Sequence, residues 1–70
     1  MIVYDNLWKT MKKRGVSTYT LREKHAIDVT TIQRLRKNRN VQTKTLDKLC
    51  AILDCRLEDI ATYVKDSEAG

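Results

Sequence analysis

Apolar side chains recur at helical spacing along almost the whole of this 70-residue chain, and this period limits its possible folds more than any other feature. Within residues 46–53, three leucines and Cys50 occupy positions i, i+3, i+4 and i+7, which lie on one face of an α-helix. No run of alternating β-branched residues is long enough to predict a strand, and the chain has no proline. The pattern therefore predicts an all-α fold.

The same period, taken with the capping residues, predicts five amphipathic helices. Gly15 is a natural end for the first helix. Ser17 and Asp28 are predicted N-caps of the second and third, because their side-chain oxygens can accept a free backbone N–H. The short connector between these two helices is typical of a helix-turn-helix. The predicted helices span residues 4–14, 18–25, 29–38, 44–54 and 57–65. The predicted core consists of Leu7, Trp8, Met11, Leu21, Ile27, Ile32, Leu35, Leu46, Leu49, Leu53, Leu57 and Ile60.

The length and composition indicate one domain, residues 1–65, followed by a disordered tail at residues 66–70. No apolar run approaches the roughly 20 residues that span a membrane, so we expect a cytoplasmic protein without a membrane partner. Cys50 and Cys55 are interpreted as small apolar residues in a reducing compartment, with a disulfide or redox role as the alternative. Because the two cysteines have no second pair and His25 is the one histidine, we expect no metal site. We also expect no cofactor.

The net charge of +5 is unevenly distributed along the chain. Residues 1–44 contain eleven lysines and arginines against three acidic residues, a net of +8. Residues 45–70 contain three basic residues against six acidic ones, a net of −3. This asymmetry predicts one face that meets a polyanion and another face turned away from it.

The third predicted helix separates its side chains into an apolar face and a face rich in hydrogen-bond donors. At about 100° per residue, Gln33 and Arg34 fall close to Thr30, whereas Ile32 and Leu35 fall on the opposite side. Arginine can bind guanine, glutamine can bind adenine, and threonine can meet the methyl group of thymine. The outer face therefore has the chemistry to read a DNA major groove, although an ordinary solvated surface is the alternative.

Donors that suit phosphates surround this helix in the sequence. The start of the second helix, the segment that follows the third helix and the start of the fourth helix all carry hydroxyl, amide or basic side chains. Three successive helix ends could thus present donors on one basic surface. The predicted phosphate contacts are Thr18, Tyr19, Lys37, Asn38, Arg39, Thr43 and Lys44.

Three segments carry a resemblance to a known family. LCAILDCRLEDI (residues 49–60), TIQRLRKN (31–38) and TLDK (45–48) resemble the Cro/C1-type (XRE-like) helix-turn-helix regulators of bacteria and phages, in their small single-domain branch. The resemblance covers about residues 5–64. It implies a compact five-helix, lambda-repressor-like DNA-binding domain in which helices 2 and 3 form the helix-turn-helix.

The resemblance also implies how such a chain would work. The third helix would enter the major groove of double-stranded DNA, and a homodimer would bind a two-fold site. The implied base contacts are Val29, Thr30, Thr31, Gln33 and Arg34. The chain departs from the family pattern at Thr18, where glutamine is frequent, and at Arg22 and Ala26, where alanine and glycine are favoured.

Two functions follow from these observations. The first is a sequence-specific, repressor-like transcriptional regulator for which no small-molecule ligand is evident. The alternative is a protein-interaction or antitoxin-like module that kept the fold without specific DNA reading. We expect no enzymatic activity and no catalytic residues, because the sequence has no glycine-rich phosphate loop and no plausible Ser/His/Asp set.

Overall fold

The computed structural model describes residues 1–65, which form four α-helices, one 3₁₀ turn and a two-stranded sheet. The predicted tail at residues 66–70 lies outside the described residues. The elements in chain order are β1 (Ile2–Val3), α1 (Asp5–Arg14), α2 (Thr18–His25), α3 (Val29–Arg36), α4 (Thr43–Leu53), the 3₁₀ turn (Leu57–Asp59) and β2 (Thr62–Tyr63). The strands pair antiparallel, with Ile2 opposite Tyr63 and Val3 opposite Thr62.

The predicted all-α fold with five helices is wrong at the C-terminal end of the chain. Residues 57–65 form the 3₁₀ turn and then β2. Pairing with β1 satisfies backbone N–H and C=O groups of this segment between strands, which a fifth helix would not do. The backbone N–H of Arg56 donates to the Asp59 carboxylate at 3.0 Å and closes the turn. The Thr10 hydroxyl then donates to the Asp59 carbonyl at 2.7 Å and ties the turn to α1. Leu57, predicted to be in the core, is 54% exposed because the turn directs it outward.

The rest of the predicted core is confirmed. Side chains from all four helices and from the end of the 3₁₀ turn meet in one cluster, and Trp8 and Leu46 pack partly buried against it. Tyr4 is also buried, although the sequence analysis did not place it there. The buried residues are Tyr4, Leu7, Met11, Leu21, Ile27, Ile32, Leu35, Leu49, Leu53 and Ile60.

The turn between α2 and α3 sets the angle at which α3 leaves the body of the protein. Ala26 lies in the left-handed region at φ 56° and ψ 34°, and the N–H of Ile27 donates to the Leu21 carbonyl at 3.0 Å. An alanine in this region is strained because its Cβ crowds the backbone, by about 1–2 kcal/mol. The family-favoured glycine at this position would be free of that strain.

We therefore expect Ala26→Gly to stabilise the protein by about 0.5–1 kcal/mol, since the relief of strain exceeds the added chain entropy of glycine. The matched control is Ala51→Gly, the same substitution at an exposed position inside α4. That change is expected to destabilise the protein by about 1 kcal/mol. Urea unfolding of the two variants measures both effects, and destabilisation by Ala26→Gly would contradict the argument from strain.

Candidate nucleic-acid interface

Local hydrogen bonding and two buried side chains hold α3 in place. The Asp28 carboxylate caps the helix by accepting the Thr31 backbone N–H at 2.8 Å, as predicted for an N-cap. On the inner side of α3, Ile32 and Leu35 are buried in the core. The helix is thus fixed by residues that leave its opposite face open to solvent.

The open face of α3 carries the predicted base contacts. Val29, Thr30, Gln33 and Arg34 are exposed, whereas Thr31 is half-buried. Both Val29 and Gln33 line a shallow groove of about 190 Å³ between α2 and α3. Arg34 lines a second open groove with Arg39 and Asn40. Three of the five predicted base contacts therefore line two separate grooves, whereas Thr30 and Thr31 line neither.

The residues predicted to bind phosphates lie at three helix ends. Thr18 lines the same shallow groove as Val29 and Gln33, and its neighbour Tyr19 is exposed at the start of α2. The predicted Ser17 N-cap of α2 is confirmed, because its hydroxyl accepts the Thr20 backbone N–H at 3.1 Å. These contacts place the start of α2 beside the outer face of α3.

The chain folds back at the end of α3, so that Arg34 and Arg39 line the same groove. The N–H of Arg39 donates to the Arg34 carbonyl at 2.7 Å, and Lys37 beside it is exposed. Asn38 has a left-handed backbone at φ 56°, and its side-chain oxygen accepts the Tyr4 backbone N–H at 2.8 Å. The Asn38 side chain thus joins the end of α3 to the N-terminal segment, a structural role that the sequence analysis did not find.

The start of α4 offers backbone donors. Its N-cap, Gln42, makes no side-chain capping hydrogen bond. The N–H of Thr45 already donates to the Gln42 carbonyl at 2.9 Å, which leaves the N–H groups of Thr43 and Lys44 for an anion. Thr43 and Lys44 are exposed in that turn. Thr43 and Lys44 line neither of the two grooves described above.

Arg36 is a basic residue of α3 that the sequence analysis left out of the site. Its guanidinium lies over the ring of Trp8, 5.0 Å from the centroid, in a cation–π contact between α3 and α1. Arg36 also lines the shallow groove with Arg22. The charge at the flank of α3 was visible in the sequence, but the aromatic partner comes from a different helix.

The capping carboxylate of Asp28 gives α3 a pH dependence. Hydrogen bonds from the Thr31 side chain and backbone hold the pKa of this carboxyl below its ordinary value. Its contribution to stability is therefore fully present above the ordinary carboxyl pKa of about 3.9, and is lost as the pH falls through the lower pKa of the folded state.

We expect wild-type stability to fall relative to that of Asp28→Asn as the pH drops below about 4, because asparagine caps the helix without titrating. Urea unfolding of both proteins at neutral pH and in acid measures the difference in their free energies of unfolding. A difference that is constant across this range would show that the cap does not depend on the charge of Asp28.

The other chemistry-bearing residues form no centre in the part of the chain described. Among residues 1–65, no group of three or more histidine, cysteine, aspartate or glutamate side chains is placed to hold a metal ion. Cys50 and Cys55 are free and half-buried, and burial raises the pKa of the Cys55 thiol, which lowers its thiolate fraction. Over the same range, no helix is both long and apolar enough to cross a membrane.

Comparisons with known proteins agree with this geometry. The sequence profile of the Cro/C1-type HTH DNA-binding domain matches residues 6–66. The crystal structure of the transcriptional regulator VanUg, form II, superposes with a TM-score of 0.83 and 31% sequence identity. The match covers 93% of this chain and 87% of the other. A comparison with curated proteins gives no match.

Proposed function

Because the chain belongs to the Cro/C1-type helix-turn-helix DNA-binding family, we propose that it regulates transcription by binding a specific double-stranded DNA sequence as a homodimer. Its α3 helix lies in the major groove of each half-site. The observation that carries this proposal is the division of α3 into a buried inner face, Ile32 and Leu35, and an outer face that exposes Thr30, Gln33 and Arg34.

The proposal gives the outer side chains separate roles. Arg34 donates to the O6 and N7 acceptors of a guanine, and Gln33 makes a paired contact with an adenine. Val29, Thr30 and Thr31 meet the edges of neighbouring bases, including the methyl group of thymine. The exposure of four of these five residues supports the assignment. Thr31 is half-buried and contacts DNA from the edge of this face.

Phosphates on both sides of the groove are bound by the surrounding helix ends. Lys37, Arg39 and Lys44 supply charge. Thr18 and Tyr19 donate hydroxyls, and the open N–H groups at Thr43 bind a phosphate at the positive end of the α4 dipole. Asn38 orients this surface through its bond to Tyr4 and can offer its amide nitrogen to a phosphate. Such contacts position the protein, whereas the residues of α3 select the sequence.

We further propose that the regulator acts as a repressor. Occupancy of a site in the DNA excludes other proteins from the same base pairs without any additional contact. The net charge of +8 on residues 1–44 favours such occupancy by bringing the chain rapidly to DNA.

Selection of bound sequences from a pool of random duplexes tests the proposed function. We expect an enriched motif with two related half-sites about 10 base pairs apart. Affinity for the selected duplex should also fall linearly with the logarithm of salt concentration, with a slope of about 0.9 per phosphate contact. No enrichment, together with no salt-sensitive binding, would contradict DNA reading and favour a protein-interaction module.

A further inference from the structure

The shallow groove between α2 and α3 has an arginine from each helix along it. Arg22 comes from α2 and Arg36 from α3, and both are exposed. No carboxylate lines this groove, because its other lining residues are Thr18, Val29, Ile32 and Gln33. Arg22 stands where the family pattern favours alanine, so this pair of guanidinium groups is a feature of this chain.

The two arginines have no anionic partner within residues 1–65. Over this range neither guanidinium forms an ion pair or a hydrogen bond. Two like charges that share a groove repel each other, and an anion bound between them would relieve that repulsion. The positive end of the α2 dipole adds to the attraction, since Thr18 is the first residue of that helix and lines the groove. These features favour an anion between α2 and α3.

Trp8 orders one of the two guanidinium groups. The Arg36 guanidinium lies over the Trp8 ring, 5.0 Å from its centroid, and Trp8 is half-buried against the core. A stacked guanidinium contacts a ring through its face, whereas its N–H groups point outward in its own plane. The contact therefore restrains a long, flexible side chain while leaving its donors free for two parallel hydrogen bonds to a phosphate.

The position of the groove favours a phosphate of the DNA backbone as this anion. Val29 and Gln33 line the groove, and both belong to the outer face of α3 that we propose contacts bases. An anion held beside them would lie at the edge of the major groove, where the sugar–phosphate backbone runs. The proposed phosphate contact of Thr18 falls in the same groove.

We propose that Arg22 and Arg36 together bind one backbone phosphate between α2 and α3, and that Trp8 is the positioning residue for Arg36. We call the two arginines the arginine clamp. This inference rests on the proposed function, because it assigns a further contact to the same DNA surface. The clamp ties both helices of the helix-turn-helix to one phosphate. It thereby sets how α3 enters the major groove, whatever the base sequence.

Duplexes in which one phosphate is replaced by a neutral methylphosphonate test the clamp. The replacement is moved through one half-site of the selected duplex, and the affinity of the full chain is measured at one salt concentration. At the clamped phosphate we expect the wild type to lose about tenfold in affinity, because charge-assisted hydrogen bonds are lost there. Arg22→Gln and Arg36→Gln should each shrink that loss by about threefold or more at this one position and leave the losses elsewhere unchanged.

Lys24→Gln is the matched control for removing a charge from α2. Lys24 is exposed two residues beyond Arg22, about 200° around the helix, and does not line the groove. This variant should keep the full wild-type loss at the clamped phosphate.

Variants of Trp8 test its positioning role. Trp8→Phe keeps an aromatic face for Arg36 and should retain the full loss at the clamped phosphate, whereas Trp8→Leu should shrink it as Arg36→Gln does. A purely structural role would lower the free energy of unfolding in both variants without changing the loss at one particular phosphate. A full loss in Trp8→Leu would therefore show that Trp8 does not position Arg36.

The clamp is overturned if the two arginine variants reduce the methylphosphonate effect at different phosphates or at none. That result would leave the proposed function standing, because the wild type would still bind the selected duplex. A wild type that binds no duplex in a salt-sensitive manner would instead overturn the proposed function, and the clamp with it.

Discussion

Replacing Arg34 with alanine is expected to lower the ratio of affinities for the selected site and for random DNA by about thirtyfold or more. A paired contact from arginine to guanine contributes about 1–3 kcal/mol of discrimination, and a dimer loses it at both half-sites. Arg34 is exposed on the outer face of α3, so its removal should leave the core intact. Titration of the selected duplex and of a random duplex at one salt concentration measures the ratio.

Lys44→Ala is the control that separates base reading from phosphate binding. Lys44 is exposed at the N-terminus of α4, away from the outer face of α3. Its loss should weaken both duplexes about equally and reduce the salt slope by about 1 for each copy bound. If Arg34→Ala likewise weakens both duplexes equally, Arg34 is a phosphate contact and the proposed role for it is wrong.

Replacing Leu35 with alanine should cost the protein much of its stability. Leu35 is 0% exposed on the inner face of α3, and removing a fully buried leucine side chain costs about 2–5 kcal/mol. A domain of this size has a total free energy of unfolding of only about 4–10 kcal/mol. Urea unfolding at low protein concentration, where dimerisation does not contribute, measures the loss.

Leu57→Ala provides the matched control for Leu35→Ala. The sequence places both leucines at apolar positions of a helical stripe, but the structure leaves Leu57 54% exposed. We expect its truncation to cost less than about 1 kcal/mol under the same conditions. Equal losses from the two variants would mean that Leu57 packs as part of the core and does not lie at an open surface.

Local signals explain why the first four helices could be predicted. The caps at Ser17 and Asp28 bond to backbone N–H groups only three residues away, so they depend little on the rest of the fold. The apolar stripe of α4 predicts a helix that packs on a core, whichever element lies opposite it. The family resemblance added the assignment of α2 and α3 to a helix-turn-helix, which the profile match and the structural comparison support.

The prediction of a fifth helix was wrong because it rested on apolar spacing alone. The observed strand depends instead on pairing with a segment far away in the sequence. The apolar spacing of residues 57–64 suits a helix, but β2 pairs with β1 about 60 residues away along the chain. The contact between Tyr4 and Asn38 was not predicted for a related reason. The hydrogen bond that joins them links the N-terminal segment to the end of α3, and neither residue's neighbours in sequence reveal it.

The sequence by itself determined the four helices, most of the core and the polar outer face of α3. These depend on periodicity and caps within single segments, where the interacting groups are at most a few residues apart. Only the tertiary structure decided the strand pairing, the cation–π contact of Arg36 with Trp8 and the exposure of Leu57. Each of these depends on which distant segments meet, because a side chain is exposed or covered according to the element that packs against it.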